Sequence, residues 1–256
     1  MKIVLSAAVV MTSAVIGAVH YALPEDNRLS DETLHRLATP EFPVLDLTQP
    51  DLPPAGGVSK TLIKQVADKY DVPAGALYGI WSVESHQLSG GWGTGKGWLR
   101  AADIVRRDGA CTAKYGRAWC LRHWNSLVAL CGQTRADGSK VCDPYQVRTS
   151  YALAMGPMQH IPAEVIRIDD GGRGSWTDRA ADYDSDGVVD PHSLPDAMAM
   201  TALFLRHNYA KYGDWRKAVN AYYGSQLEGY AEGTRAGFKG VIGYWRDWCQ
   251  DTKDCD

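Results

Sequence analysis

Apolar residues recur along this chain at helical spacing, and almost nowhere at the alternating spacing of strands. Leu62, Ile63, Val66 and Tyr70 form one stripe behind Ser59, which suits an N-cap. Asp71-Val72-Pro73 stops that helix, and Pro73 fits the first turn of the next. In that second helix Leu77, Ile80, Trp81 and Glu84 fall at i, i+3, i+4 and i+7, so one carboxylate shares an apolar, inward-pointing face. Residues 86–97 are Gly-rich and read as loop. Residues 98–148 contain short helical pieces and Cys111, Cys120, Cys131 and Cys142, which mark a disulfide-stapled insertion. A turn and a helix follow over 151–168, then a polar Gly/Asp-rich loop over 169–194. Apolar helices are predicted over 196–212, 215–223 and 234–248. Runs of alternating β-branched residues are nearly absent and no internal repeat occurs, so the class is mainly α.

The first residues carry a different pattern. Lys2 precedes an apolar run from Ile3 to Leu23, close to the about 20 residues that span a bilayer. It reads as an N-terminal membrane anchor, or as a secretory signal cut near Gly17 or Ala18. No Cys precedes Cys111, which excludes a lipid anchor on an N-terminal Cys. Residues 24–57 are Pro-rich and without periodicity, as in an extended tether. Residues 58–256 then form one globular domain, long enough for a sizeable core.

Charge and composition narrow the function. A net charge of −3 with both signs interspersed excludes a basic footprint for nucleic acid. Nine Trp and thirteen Tyr stand against three Phe, and flat rings with a polar handle suit stacking on sugars. The six Cys, even in number and downstream of an export segment, point to disulfides. Neighbour pairing gives Cys111–Cys120, Cys131–Cys142 and Cys249–Cys255, out of fifteen possible connectivities. No C-x-x-C occurs, and His86, His123, His160 and His207 make no H-x-x-x-H pair, so a zinc site is not indicated. There is no G-x-S-x-G elbow and no P-loop.

Glu84 is the candidate acid. A carboxylate held against apolar walls is penalised when it ionises, so it keeps its proton to higher pH and can transfer it. Downstream, Gly156-Pro157 forces a turn that brings backbone close to a ligand. Asp182-x-Asp184-x-Asp186-Gly187 is the first half of an EF-hand loop, with Ser193 where the closing Glu would stand.

Four segments occur together in the order VESHQ (83–87), YALAMGPMQHIP (151–162), DYDSDGVVDPHSLPDA (182–197) and AVNAYYGS (218–225). In this the chain resembles the lytic murein transglycosylases, above all the membrane-bound type B group and its relatives. The resemblance covers roughly residues 59–248, interrupted by the insertion. It implies a lysozyme-like α fold of the goose-type lysozyme kind and cleavage of peptidoglycan glycan strands. It implies Glu84 as the single acid and base, with no cofactor for catalysis, because the muramic acid C6 hydroxyl replaces a water nucleophile. Ser85 matches the family's Glu-Ser pair and would bond the sugar or steady Glu84. Gln159 matches the family's cleft Gln, Met158 would pack under a sugar ring, and Tyr151 would line the cleft. Tyr222 matches a Tyr close to the catalytic Glu, whereas Tyr223 stands where the family has Asn. By the same resemblance Asp196 would close a lengthened calcium loop with Asp182, Asp184, Asp186 and the Val188 carbonyl, and Asp190 as a further ligand. The ion would be structural.

Two other readings compete. A true muramidase needs a second carboxylate, for which Asp103 and Asp108 are nearest. A non-catalytic subunit of an envelope-spanning machine would share the fold without the chemistry.

Overall fold

The computed structural model describes residues 60–86, 99–165, 181–223 and 240–255. The N-terminal anchor or signal, the Pro-rich tether and the loop at 87–97 lie outside the described residues, as do the side chains of His86 and Tyr223. Among the described residues no helix is long and apolar enough to cross a membrane.

Helix α1 (Lys60–Tyr70) buries Ile63, Val66 and Ala67, the stripe its spacing predicts. Asp71 adopts a left-handed φ of 55°, and the Val72 N–H donates back to the Ala67 carbonyl, closing the helix end. Pro73 precedes α2 (Ala74–Trp81), a helix buried over most of its length. Gly75 and Gly79 lie one turn apart on α2. A Cβ at Gly75 would sit 2.0 Å from Trp245, and one at Gly79 2.5 Å from the Val241 carbonyl. Both Trp245 and Val241 belong to the last helix (Val241–Thr252), which therefore packs against α2 at backbone distance. That helix runs to Thr252, beyond the Trp248 expected from the sequence; residues 234–239 lie outside the described residues. The long helix Leu194–Tyr212 and the helix Trp215–Tyr223 complete this layer. Ile63, Leu77, Ile80, Met158, Met198, Leu205, Val219 and Trp248 meet in its core.

The insertion is closed by its own clasp. Leu99–Arg100 pairs antiparallel with Arg148–Thr149, Leu99 opposite Thr149 and Arg100 opposite Arg148. These two-residue strands are the only named strands among the described residues. Between them run Ala101–Ile104, Ala110–Tyr115 and Arg117–Gly132. The last is a sixteen-residue helix, longer than the short pieces expected. A second core gathers Ile104, Trp124, Leu127 and Leu130 with Leu153, Met155, Val165 and Met200 from outside the insertion. The excursion is thus welded to the main body rather than hung from it.

Cys111–Cys120 and Cys131–Cys142 are disulfides, as neighbour pairing predicts. The third expected bridge is corrected: Cys249 and Cys255 are free thiols. Lys253, at φ 62°, reverses the chain after the helix and turns Cys255 back towards Cys249. Burial pushes the Cys249 thiol up to about 11, and its hydrogen bond with Cys255 adds to the rise.

Candidate active site

The α-helix carrying Leu77 and Ile80 changes character at Ser82. Residues Ser82–His86 form a π-turn, the wider helical turn that recurs at functional positions. The extra residue per turn shifts Glu84 out of the register of the apolar stripe. Leu77 and Ile80 are fully buried, whereas Trp81 and Glu84 are half-buried. Glu84 therefore stands at the rim of the core rather than inside the apolar face the helical spacing predicts.

The next residue fixes where that rim lies. The buried Ser85 hydroxyl donates to the Pro157 carbonyl. The following carbonyl, of Met158, accepts from the Tyr222 hydroxyl. Two successive carbonyls of the Gly156–Gln159 turn are thus held by the Glu84 segment and by helix Trp215–Tyr223. The turn is also clasped internally. Met155 and His160 exchange backbone hydrogen bonds of 2.8 and 3.0 Å, and Gln159 at φ 59° donates its Nε2–H to the Gly156 carbonyl at 2.8 Å. Gly156, at φ 67°, lies so close to the Pro191 backbone that a Cβ would meet its oxygen at 1.7 Å.

These contacts place the candidate substrate residues. Ser85, Gln159 and Tyr222 converge on one turn with Glu84 beside it. The Ser85 and Tyr222 hydroxyls are both engaged with the turn's backbone, so they shape the site. Met158 is corrected to the core, at 0% exposure, where no sugar ring reaches it. Tyr151 stands apart, packed on Tyr115 and Lys114 of the insertion.

Two histidines that sequence patterns left without a role brace this region. His160 Nε2 bonds the Ala197 carbonyl at 3.0 Å, with Thr201 Oγ1 at 3.2 Å. His123 Nδ1 accepts the Ala163 N–H at 3.3 Å, joining the insertion to the start of helix Pro162–Val165. Burial holds His160 down to about 4; burial and then the Arg122 charge hold His123 down to about 3. The unfolded chain takes these protons near the ordinary pKa of about 6.5, well above the folded state. Their stabilisation is therefore complete above pH 6.5 and is lost as pH falls towards 4 for His160 and towards 3 for His123. Each neutral histidine should contribute a slope of about 1.4 kcal/mol per pH unit in that window. Urea unfolding across pH 4–7 measures it, and His123→Asn, which keeps an acceptor near Nδ1, should flatten the slope by about one proton's worth.

The Asp-rich loop is assembled. Carboxylate oxygens of Asp182, Asp184, Asp186 and Asp196 lie within 4.8 Å of one another. Ser185 at φ 62° and Gly187 at φ 93° wrap the backbone around them. Asp182 accepts the N–H groups of Asp186 and Gly187 at 3.1 and 3.0 Å. Asp196, fully buried, accepts those of Tyr183 and Asp190 at 2.7 and 2.9 Å. Its carboxyl is pushed up to about 7 by burial and by the Asp184 charge. Ser193, at the position of the missing Glu, donates to Asp184 at 3.0 Å. Asp190 is corrected from ligand to brace. Its carboxylate pairs with Arg135 and, at 3.1 Å, with His192. Burial alone would raise its pKa, but the His192 and Arg135 interactions together lower it. Arg135 also reaches Asp186 at 2.8 Å and was missed by the sequence reading, since it lies 51 residues earlier, within the insertion.

The second-carboxylate candidates of a muramidase lie at the start of the insertion. Asp103 pairs at the surface with Arg100 at 2.8 Å and Arg106 at 3.5 Å, and Asp108 is exposed.

No curated protein and no solved structure matches the chain. The family model described as the transglycosylase SLT domain matches residues 58–247. That span takes in the Glu84 turn, the Gly156–Gln159 turn, the Asp loop, helix Trp215–Tyr223 and the first half of the last helix, and the mainly helical fold with its disulfide-stapled insertion is lysozyme-like. The chain belongs to the transglycosylase SLT family.

Proposed function

We propose that this chain is an exported lytic transglycosylase that cleaves the MurNAc–GlcNAc β-1,4 bond of peptidoglycan and forms 1,6-anhydro-MurNAc. The family match over residues 58–247 supports a peptidoglycan-cleaving enzyme of the cell envelope. The observation that carries the finer reading is the fastening of Glu84's turn, through Ser85, to the turn that presents Gln159. Glu84 protonates the glycosidic oxygen as the bond to the anomeric carbon breaks. The same carboxylate then accepts the proton of the C6 hydroxyl as that oxygen attacks the anomeric carbon. One residue serves both steps, so no second carboxylate is required, in contrast to the usual glycosidase pair. The surface pairing of Asp103 favours this reading over a muramidase. Mass spectrometry of digested sacculi tests it: 1,6-anhydro ends are expected, and free reducing ends assign the goose-type hydrolysis instead. An inert chain with intact folding assigns the non-catalytic subunit of envelope machinery.

The Asp loop supports placement near the type B group, with a structural calcium. Four carboxylates offset only in part by Arg135 are hard oxygen donors that suit such a cation. Asp182, Asp184, Asp186 and Asp196, with the Val188 carbonyl, would hold it, and binding would neutralise the loop ahead of helix Leu194–Tyr212. Calcium at about 100 times its Kd would add about 2.7 kcal/mol to stability. For a domain of this size the expected rise in Tm is about 5–10 °C. Chelator should reverse it, and Asp184→Ala, at an exposed position, should abolish it. Calorimetry with no calcium-dependent shift in the wild type leaves the loop an Asp/Gly turn.

A further inference from the structure

The geometry points to a second glycan-binding subsite at the edge of the insertion, in which Tyr151, backed by Tyr115 and Trp119, stacks a sugar ring and Lys114 pairs with a carboxylate carried by the same strand. It rests on the peptidoglycan reading above and adds a surface that the Glu84 turn does not include. Tyr115 and Trp119 stack with centroids 4.5 Å apart and planes 29° from parallel. Tyr115 and Tyr151 are parallel within 5°, at 6.2 Å. Three rings thus form one layered step, and its outer member, Tyr151, is 42% exposed. A large ring partly open to solvent, parallel to one ring and backed through it by a second, offers a surface on which the apolar face of a pyranose rests. Lys114 Nζ lies 4.3 Å from the Tyr151 ring centre and donates to its hydroxyl at 3.0 Å. That bond holds the ammonium over the hydroxyl end of the Tyr151 ring and leaves further N–H donors on an exposed side chain.

The covalent frame holds this step ready. Lys114, Tyr115 and Trp119 all lie inside the loop closed by Cys111–Cys120. On the other side, Ser150 Oγ accepts the N–H groups of Ala152 and Ala154 at 3.2 Å each, shaping the bend that projects Tyr151. A surface ordered beforehand loses little conformational freedom on binding. Charge selects the occupant. The chain is net acidic, yet no acidic residue occurs between Asp108 and Asp137, while Lys114, Arg117 and Arg122 do. Neutral glycans make no use of that field. Peptidoglycan strands bear carboxylates, on the stem peptides or, where the stem is removed, on the lactyl group. Tyr151 leads within five residues into the Gly156–Gln159 turn, so the same polymer can run from the step to the site.

The test uses the full chain carrying Glu84→Gln, so that binding is read without turnover. Co-sedimentation with purified sacculi at low salt is compared with Lys114→Gln and Tyr151→Ser added singly and together. The double variant should bind about 10-fold more weakly, and its affinity should fall less with added salt. Lys114→Arg should restore binding. On neutral chitin oligosaccharides Tyr151→Ser should weaken binding and Lys114→Gln should not. Amidase-treated sacculi separate the carboxylates: a Lys114 effect that vanishes assigns the stem peptide, and one that persists assigns the lactyl group. Lys114→Gln alters only an exposed side chain, so its result does not depend on folding. Equal affinity and equal salt dependence across all variants overturn the subsite. That outcome leaves the catalytic reading intact, which falls separately if wild-type protein leaves sacculi uncut.

Discussion

Glu84→Gln is expected to lower the release of soluble muropeptides from sacculi by about 10²–10⁴-fold, the usual weight of general acid–base catalysis. The upper end is favoured because one carboxylate would act in both half-reactions. Gln keeps the size of Glu and loses the transferable proton. The side chain is half-buried at the rim of the core, so the fold should hardly respond. Its unfolding free energy should stay within about 1 kcal/mol of wild type, as for substitutions that make neither a cavity nor an unpaired buried charge. Turbidity loss of sacculi and urea unfolding of the same preparation check both halves. Activity above about a tenth of wild type would remove Glu84 from the acid role, since no supporting interaction compensates for a lost proton donor. Ser85→Ala gives a useful contrast. It removes the bond to the Pro157 carbonyl while leaving the carboxyl, so it should lower both stability and turnover by smaller factors.

What the sequence disclosed and what it hid follow from the range of the interactions. Helices over 60–70, 194–212 and 215–223 were legible because their apolar spacing is local. The insertion was legible because its cysteines cluster. The two short disulfides followed from loop closure over nine and eleven residues. Glu84 itself stood out as an acid in an apolar stretch, but its depth was misjudged. Helical periodicity assumes a constant 3.6 residues per turn, and the π-turn at Ser82–His86 breaks that assumption. Met158 looked like a ligand contact because it adjoins Gln159. In the turn set by positive φ at Gly156 and Gln159, Met158 is fully buried in the core while Gln159 stays half-buried. Arg135 had no signal at all. Its partners Asp186 and Asp190 lie more than fifty residues away, and only the folded insertion delivers it to them. Local pattern thus disclosed the helices, the short disulfides and the candidate acid, while contacts made only across the folded chain, such as those of Arg135, left no trace in it.

Gly156→Ala should be the most damaging single methyl in the described structure around the site. Two costs fall together there. Alanine at φ 67° carries the left-handed penalty of about 1–2 kcal/mol. In addition, its Cβ would lie 1.7 Å from the Pro191 oxygen and 2.7 Å from the Pro191 carbon. Those are backbone atoms, so no rotamer relieves the contact, and either the turn or the loop before helix Leu194–Tyr212 has to move. The expected destabilisation is about 3–5 kcal/mol, the range of severe core disruptions. Gly213→Ala is the matched control: its φ is 63° but nothing lies within 4 Å of the added methyl. It should lose only the conformational part, about 1–2 kcal/mol. Function should fail earlier than the fold in Gly156→Ala. The displaced turn carries the Pro157 and Met158 carbonyls that Ser85 and Tyr222 grip, so turnover should drop at temperatures where circular dichroism still reports native helix. Urea denaturation of both variants, paired with sacculus digestion below their midpoints, decides the matter. If Gly156→Ala costs no more than Gly213→Ala, the close approach to Pro191 is not what fixes the turn.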